Sequence, residues 1–315
     1  LKVLTLRQHS PHASLLGELL GPDFEVRGVA DVKKDSLDAD VLVTTHLSPD
    51  EASAATAKLV HVPGAGYEGV AWNSLPDGCI GANVFCHEVP IAEYVLHAAL
   101  SRVFAQHRPG ALSDKTWPRA YLQREFRGEL YGARMTIVGT GHIGQEVAKR
   151  AQAFGVATTG INRSGRAAAH FDTTAPIERI DEFLAQTDIL VLCCPLDDTT
   201  RHLFDRERLA RLPSTSLLIN VARGGVIEEQ ALYEALRDQR IGAAVLDVWY
   251  QYPKTVDDDM APSRYPFAEL PNVSMTPHIS GWSRGLLDRR YREIAENIRR
   301  LKQGDALANV IWPKR

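Results

Sequence analysis

The chain is poor in cysteine: among 315 residues there are only Cys79, Cys86, Cys193 and Cys194. They form no C-x-x-C pair and match no zinc-ligand spacing, so neither a disulfide framework nor a metal site is expected. No charge sign dominates either. The 36 Lys and Arg against 39 Asp and Glu leave a net charge of −3. That balance gives no electrostatic case for nucleic acid or an anionic membrane as a partner. The longest acidic run is only Asp257-Asp258-Asp259. No apolar run is long enough to span a bilayer. Leu1–Leu6 is too short and too strand-like for a signal peptide, and reads as the first strand of a sheet. There is no internal repeat and no low-complexity tract. Cys193 and Cys194 follow Ile189-Leu190-Val191-Leu192, a buried-strand pattern, so packing is their expected role. A cytoplasmic, reducing location is the simplest expectation.

What is present is an alternation of strand-like and helix-like segments, which argues for α/β architecture with parallel sheets. Leu1–Leu6, Val26–Val29, Val41–Thr44 and Leu59–Val62 read as strands, with helices at Ser14–Leu20 and Glu51–Lys58. A helix is expected at Ile91–His107, with Pro90 ahead of it and Pro109-Gly110 after it. A second strand series follows: Met135–Val138, Ala157–Ile161, Ile189–Cys193, Leu217–Asn220, Ala243–Leu246 and Val273–Met275. A last helix is expected at about Ser283–Leu301. The length suits two domains. The expectation is two Rossmann-like doubly wound domains. Residues 91–280 form the dinucleotide-binding domain, nested in a substrate domain made of residues 1–90 and 281–315.

Met135-Thr136-Ile137-Val138 runs directly into Gly139-Thr140-Gly141-His142-Ile143-Gly144. G-x-G-x-x-G alone is a weak signal, but between a strand and a helical pattern it is specific. The first glycine allows the tight turn, the second lets backbone approach a pyrophosphate, and the third allows close helix–strand packing. The helix N-terminus adds free N–H groups and a partial positive charge. Ile143, Val147, Ala151 and Phe154 keep helical spacing.

Three further stretches fall at strand C-terminal ends, the edge where open α/β sheets bind ligands. They are Asn220–Gly225, Leu246–Pro253 and Thr276–Gly281. Arg223 can grip a carboxylate in a bidentate fork, or be an ordinary arginine in a turn. His278 can pass a proton near neutrality, or be a hydrogen-bonded loop histidine. Together with the fingerprint, the functional reading of both is preferred.

These motifs, with Cys194-Pro195-Leu196 and Thr200, Val221–Gly225, Leu246-Asp247-Val248 and Thr276-Pro277-His278, make the chain resemble the D-isomer-specific 2-hydroxyacid dehydrogenase family over nearly its whole length. The resemblance implies a cytoplasmic enzyme that moves hydride between a nicotinamide cofactor and a small 2-oxo or 2-hydroxy acid. It also implies a homodimer through the nested domain, with Ile91–His107 involved. Arg223 would bind the substrate carboxylate and polarise its carbonyl. His278 would be the general acid in reduction and the base in oxidation. Ala65 and Gly66 match the loop whose N–H groups hold the acid group. His87 falls near a substrate-contacting position. Pro195, Thr200 and Ala222 match the cofactor side, and Asp247 a residue beside the nicotinamide carboxamide.

The chain departs from the family pattern twice. The family usually pairs the histidine with a glutamate, and here that position is Tyr252, which supplies no charge at neutral pH. Glu88 and Asp257–Asp259 are candidates for a replacement charge. A lowered His278 pKa is therefore expected. Secondly, NAD enzymes of this fold carry an acid on the ribose 2′-OH about 20 residues beyond the fingerprint. Here Asn162 stands there, followed by Arg163 and Ser164, with Arg166 close by. These suit a 2′-phosphate, so NADP(H) is expected over NAD(H). Two alternatives stay open. The missing glutamate suggests formate or phosphite oxidation, and a non-catalytic cofactor sensor is the other. The segment between Tyr252 and Pro271 is read as a lid or as an insertion.

Overall fold

The structure, a computed structural model, describes residues 1–32, 37–104, 112–124, 126–253 and 255–313. The chain divides into two compact units. One is Leu1–Cys86 with Ser283–Arg315, and the other is His87–Trp282.

In chain order, the first unit opens with β1 (Lys2–Leu6), α1 (Ala13–Leu20), β2 (Glu25–Val29), β3 (Val41–Val43), α2 (Pro49–Ala54), β4 (Leu59–Val62) and β5 (Ile80–Asn83). The second unit begins with α3 (Glu88–Val103) and α4 (Trp117–Leu122). It continues through β6 (Arg134–Val138), α5 (His142–Ala153), β7 (Ala157–Asn162), β8 (Thr173–Pro176), α6 (Asp181–Leu184) and β9 (Ile189–Leu192). It ends with α7 (Arg206–Ala210), β10 (Leu217–Asn220), α8 (Glu229–Arg237), β11 (Ala243–Leu246) and β12 (Val273–Met275). The chain then returns to the first unit with α9 (Arg284–Gln303) and β13 (Val310–Trp312).

The first unit's sheet has the order β13-β5-β4-β3-β1-β2, parallel except for β13. Alternate residues of its strands enter opposite cores, as a period of two requires. Val3, Val41 and Leu59 pack with Leu16, Ile294 and Ile298 of α1 and α9, while Leu4, Leu42 and Val60 pack with Ala52 of α2. His61 is fully buried on β4. Asn297 Nδ2 of α9 donates to His61 Nε2 at 3.0 Å, while Asn297 Oδ1 accepts the Ala308 N–H at 2.9 Å. Burial pushes the His61 pKa down to about 4.

The second unit's sheet is wholly parallel, in the order β12-β11-β10-β9-β6-β7-β8. Read from β8, this is the dinucleotide-fold strand order 3-2-1-4-5-6 with one further strand, and its order reverses between β6 and β9. Met135, Ile137, Val191 and Ile219 face Val95 and Ala99 of α3 and Val147 and Ala151 of α5. Leu190, Leu192, Leu218 and Leu246 face the other way, with Leu232 and Leu236 of α8.

Several expected elements are corrected. The helix expected at 91–107 begins earlier, at Glu88, and Pro90 sits inside its first turn. Proline is tolerated there because the first N–H groups of a helix have no intrahelical partner. Residues 105–107 of that expectation lie outside the described residues. The helix expected at 51–58 is Pro49–Ala54 instead. Ser48 and Glu51 form a capping box with Pro49 in the first turn, and Ala55 turns extended at ψ 144°. β5 and β8 were not expected.

Candidate active site

The fingerprint turn lies at the β6/β9 switch point. Gly139 has φ +107°, and a Cβ there would stand 2.9 Å from the Cys193 carbonyl. A Cβ on Gly144 would run into the Gly139 carbonyl oxygen at 2.0 Å. By contrast, a Cβ on Gly141 would meet nothing within 4 Å. Gly141 is the N-cap of α5, and no side chain caps the helix there. This open, uncapped helix start suits a pyrophosphate, so the turn fits the cofactor its sequence implies. His142 is exposed, and Ile143 packs partly against the core.

Beyond β7, Asn162 organises the next loop. Its Nδ2 donates to Thr140 Oγ1 at 3.1 Å and to the Arg166 carbonyl at 2.8 Å, and its Oδ1 accepts the Ser164 N–H at 3.1 Å. Arg163 is not free. Its side chain is 79% exposed, and its Nη2 donates to Asp197 Oδ2 at 3.2 Å. Asp197 follows Pro195 in a turn closed by Thr200. The Thr200 hydroxyl donates to the Pro195 carbonyl at 2.7 Å and accepts the Asp197 N–H at 2.8 Å. Pro195 is exposed, whereas Thr200 is buried.

At the end of β10, the buried Asn220 fixes the segment carrying Arg223. Its Oδ1 accepts the Ala222 N–H at 3.0 Å, and its Nδ2 donates to the Arg223 carbonyl at 3.1 Å. Ala222 is buried and Arg223 exposed. The next residue, Gly224, packs so tightly that a Cβ would lie 2.4 Å from the Trp249 carbonyl oxygen. The Arg223 and Trp249 segments are therefore locked together. Arg223, Trp249, Tyr252 and Arg264 line one cavity of about 800 Å³.

The buried Asp247, just past β11, holds the histidine loop. Its Oδ1 accepts from Thr276 Oγ1 at 2.6 Å and from the Ile279 N–H at 2.8 Å, and its Oδ2 accepts the Ser280 N–H at 2.9 Å. The Tyr94 hydroxyl of α3 bonds the Thr276 hydroxyl at 2.7 Å. Fixed on both sides, His278 holds a left-handed φ of 59°, which costs a non-glycine residue about 1–3 kcal/mol. Such a conformation persists only where the surroundings hold it.

The Tyr252 hydroxyl lies 3.0 Å from His278 Nδ1 and accepts the Trp249 N–H at 3.0 Å. Trp249 Nε1 donates to the Thr276 carbonyl at 2.8 Å. Burial raises the Tyr252 pKa above that of an ordinary phenol, so it stays neutral. Burial, helped by the positive charge of Arg223, lowers the His278 pKa below 6.5, and the charge of Asp247 opposes this. Asp247 is thus a carboxylate that acts on the imidazole.

His87 is the N-cap residue of α3, with no side-chain capping bond. A Cβ on Gly281 would lie 3.5 Å from His87 Cβ, which places His87 beside the histidine loop. Ala65 and Gly66 belong to the first unit, in the loop after β4. The Ala65 carbonyl accepts Asn83 Nδ2 at 3.0 Å, and a Cβ on Gly66 would lie 2.9 Å from Glu68 Oε2. Asn220 and Glu229 were not singled out from the sequence as functional. An asparagine ending an apolar strand was the one available signal for Asn220.

The fold and this site define a dinucleotide-fold protein with an arginine and a histidine at the carboxyl edge of its sheet. The family model described as "D-isomer specific 2-hydroxyacid dehydrogenase, NAD binding domain" matches residues 95–280, and the chain belongs to that family. It is 32% identical over 285 residues to D-3-phosphoglycerate dehydrogenase of Methanocaldococcus jannaschii, covering 87% of this chain and 52% of that protein. It is 31% identical over 255 residues to hydroxypyruvate reductase of Thermotoga maritima, covering 80% and 72%. The matches therefore span about half to three quarters of such relatives' length. Among solved structures, an NADPH-dependent glyoxylate/hydroxypyruvate reductase from Sinorhizobium meliloti, in complex with NADP and sulfate, superposes with a TM-score of 0.76. Identity is 25%, with 99% of this chain and 98% of that one covered. Among the described residues, no helix is long and apolar enough to cross a membrane, and no group of His, Cys, Asp and Glu could hold a metal ion.

Proposed function

We propose that the protein reduces a short 2-oxo acid to the D-2-hydroxy acid, with NADP(H) preferred over NAD(H). One observation carries this reading. The Tyr252 hydroxyl bonds both His278 and Trp249, and the Trp249 segment packs against the Arg223 turn, which supports reading His278 as proton donor and Arg223 as carboxylate binder. When bound, the cofactor supplies the hydride.

Arg223 grips the substrate carboxylate and polarises the carbonyl, with His87 a further substrate contact; the family resemblance gives the N–H groups of Ala65 and Gly66 a role in holding an acid group. His278 gives its proton to the carbonyl oxygen as negative charge develops there. Tyr252 serves the imidazole in both states. Its oxygen accepts from Nδ1–H of the cation, and its O–H can donate a hydrogen bond to Nδ1 of the neutral Nε2–H tautomer. A phenol stabilises the cation less than a carboxylate would, so the acid is available at lower pH.

Gly139, Gly141, His142, Ile143 and Gly144 would hold the pyrophosphate. Pro195, Thr200 and Ala222 would line the remainder, and Asp247 Oδ2, which accepts one bond from Ser280, has capacity for an amide donor. Asn162, Arg163 and Ser164 would take the 2′-phosphate. Replacing an acid by Asn162 removes repulsion, and a dianionic phosphate outcompetes Asp197 for Arg163 because exposed ion pairs are weak, about 0–1 kcal/mol. The NADP held by the Sinorhizobium relative agrees with this.

Oxidation of formate or phosphite is a second reading, favoured by the uncharged partner of His278. The proposal also includes a homodimer, for which Trp117, Leu122 and Phe126 offer exposed apolar surface, and a reducing, cytoplasmic setting that suits four free thiols. The test is a panel of glyoxylate, hydroxypyruvate and pyruvate with each reduced cofactor. Consumption of NADPH by a 2-oxo acid is expected. Tight NADPH binding without turnover would indicate a sensor, and cofactor reduction by formate or phosphite would indicate the second reading.

A further inference from the structure

Glu229 stands in the first turn of α8 and is 6% exposed. Among the described residues, the hydrogen-bond partners of its carboxylate lie in the segment that follows Tyr252. Oε1 accepts from Ser263 Oγ at 2.8 Å and from the Arg264 N–H at 2.8 Å, and Oε2 accepts from Arg264 Nε at 2.9 Å. The residue just before this clamp, Pro262, uses its carbonyl to accept two backbone N–H groups, from Tyr250 at 3.2 Å and from Gln251 at 3.1 Å. Tyr252 is the next residue along. A continuous chain of bonds therefore runs from Glu229 through Ser263 and Arg264, then Pro262, then Tyr250 and Gln251, to the phenol that bonds His278.

We infer that Glu229 is the positioning residue for Tyr252, holding the far side of the 253–262 segment so that the phenol stays within hydrogen-bond distance of His278. This rests on the reading of His278 as the acid and Tyr252 as its partner.

Three features favour this over a generic loop tether. The clamp fixes the residues next to Pro262, whose carbonyl accepts the N–H groups of the two residues immediately before Tyr252. Tyr252 is the one partner of His278 Nδ1 in the described contacts, so a shift of the phenol removes that bond entirely. The clamp also resists loss: burial alone would raise the carboxyl pKa, yet the bonds from Arg264 and Ser263 hold it below the ordinary glutamate value. Beyond the clamp, Tyr265 stacks on Tyr233 at 5.2 Å and Phe267 is buried.

The test is a double-mutant cycle between Glu229→Ala and Tyr252→Phe. It reads kcat, the KM for NADPH and the pH dependence of kcat/KM for 2-oxo acid reduction. Misplacing a catalytic group by about 1 Å costs on the order of 100-fold, so Glu229→Ala is expected to lower kcat by about 10- to 100-fold and to shift the pH inflection, with the KM for NADPH unchanged. In the Tyr252→Phe background the same change should lower kcat by less than about threefold, because the positioned group is already gone. Glu229→Gln keeps an acceptor for Ser263 and should retain most activity. If Glu229→Ala does not fold, Ser263→Ala, which removes one bond to the same carboxylate, takes its place in the cycle, with a smaller loss of kcat that must still vanish in the Tyr252→Phe background. Equal losses in both backgrounds, or an unmoved pH inflection, would overturn the inference while leaving the underlying reading intact. If Tyr252→Phe alone leaves kcat and pH dependence unchanged, the underlying reading fails instead.

Discussion

The hydroxyl of Tyr252 sits 3.0 Å from His278 Nδ1 while receiving the backbone N–H of Trp249. A neutral group therefore occupies the place beside the imidazole where a carboxylate would hold it protonated. Tyr252→Glu restores a negative charge at that distance. The pH inflection of 2-oxo acid reduction should then rise by about 1–2 units, the usual effect of an adjacent opposite charge. Steady-state kcat/KM against pH for the two proteins checks this, and coincident profiles would remove Tyr252 from the account.

Arg163 and Asp197 form an exposed ion pair where the 2′-phosphate would be held. Arg163→Ala should weaken NADPH, by KM, on the order of tenfold while leaving NADH unchanged, since one charge-assisted bond is worth about 1.5–3 kcal/mol at most. Asp197→Asn should act oppositely and improve NADPH, because it frees the guanidinium. Comparable kcat/KM for both cofactors in all three proteins would contradict the NADP assignment.

Asp247 accepts three hydrogen bonds from the loop that carries His278. In Asp247→Asn one oxygen becomes a donor facing donors, leaving at least one buried N–H unsatisfied at a cost of about 1–3 kcal/mol. Both the denaturation midpoint and kcat should fall. A loss of kcat with unchanged stability would contradict the loop-holding role and leave only the amide contact.

The first unit should be acid-sensitive. His61 is fully buried, its Nδ1 has no partner among the described residues, and its pKa is lowered to about 4. Between the unfolded value of 6.5 and about 4, the unfolded chain binds a proton that the folded one does not. Stability is therefore complete above 6.5 and declines as pH falls towards 4. Thermal melts at about pH 7 and about pH 5 should show this decline, and His61→Gln should reduce it.

Much of this was legible before the structure. The fingerprint, strand alternation and carboxyl-edge residues carry local signals: glycines where backbone must pack, and apolar residues with periods of 2 and 3.6. β8 escaped notice because Thr173–Pro176 is an edge strand with one buried residue and a terminal proline. β5 is only four residues long and contains Gly81 and Asn83. The roles of Asn220, Asp247 and Glu229 were hidden for a different reason. Each acts by hydrogen bonding to backbone, and the partners of Asp247 and Glu229 lie 29 to 35 residues away. No spacing rule reports such pairs. Nor could sequence show that Arg163 is already bonded to Asp197.

The central claim is that His278, with a lowered pKa and a neutral partner, protonates the carbonyl oxygen of a 2-oxo acid. The most direct test is kcat/KM for NADPH-dependent reduction of glyoxylate or hydroxypyruvate from about pH 5 to about pH 8. The account predicts a decline as pH rises, with an inflection below the ordinary histidine value of 6.5, and loss of that inflection in His278→Gln. A flat profile up to about pH 8 would contradict it.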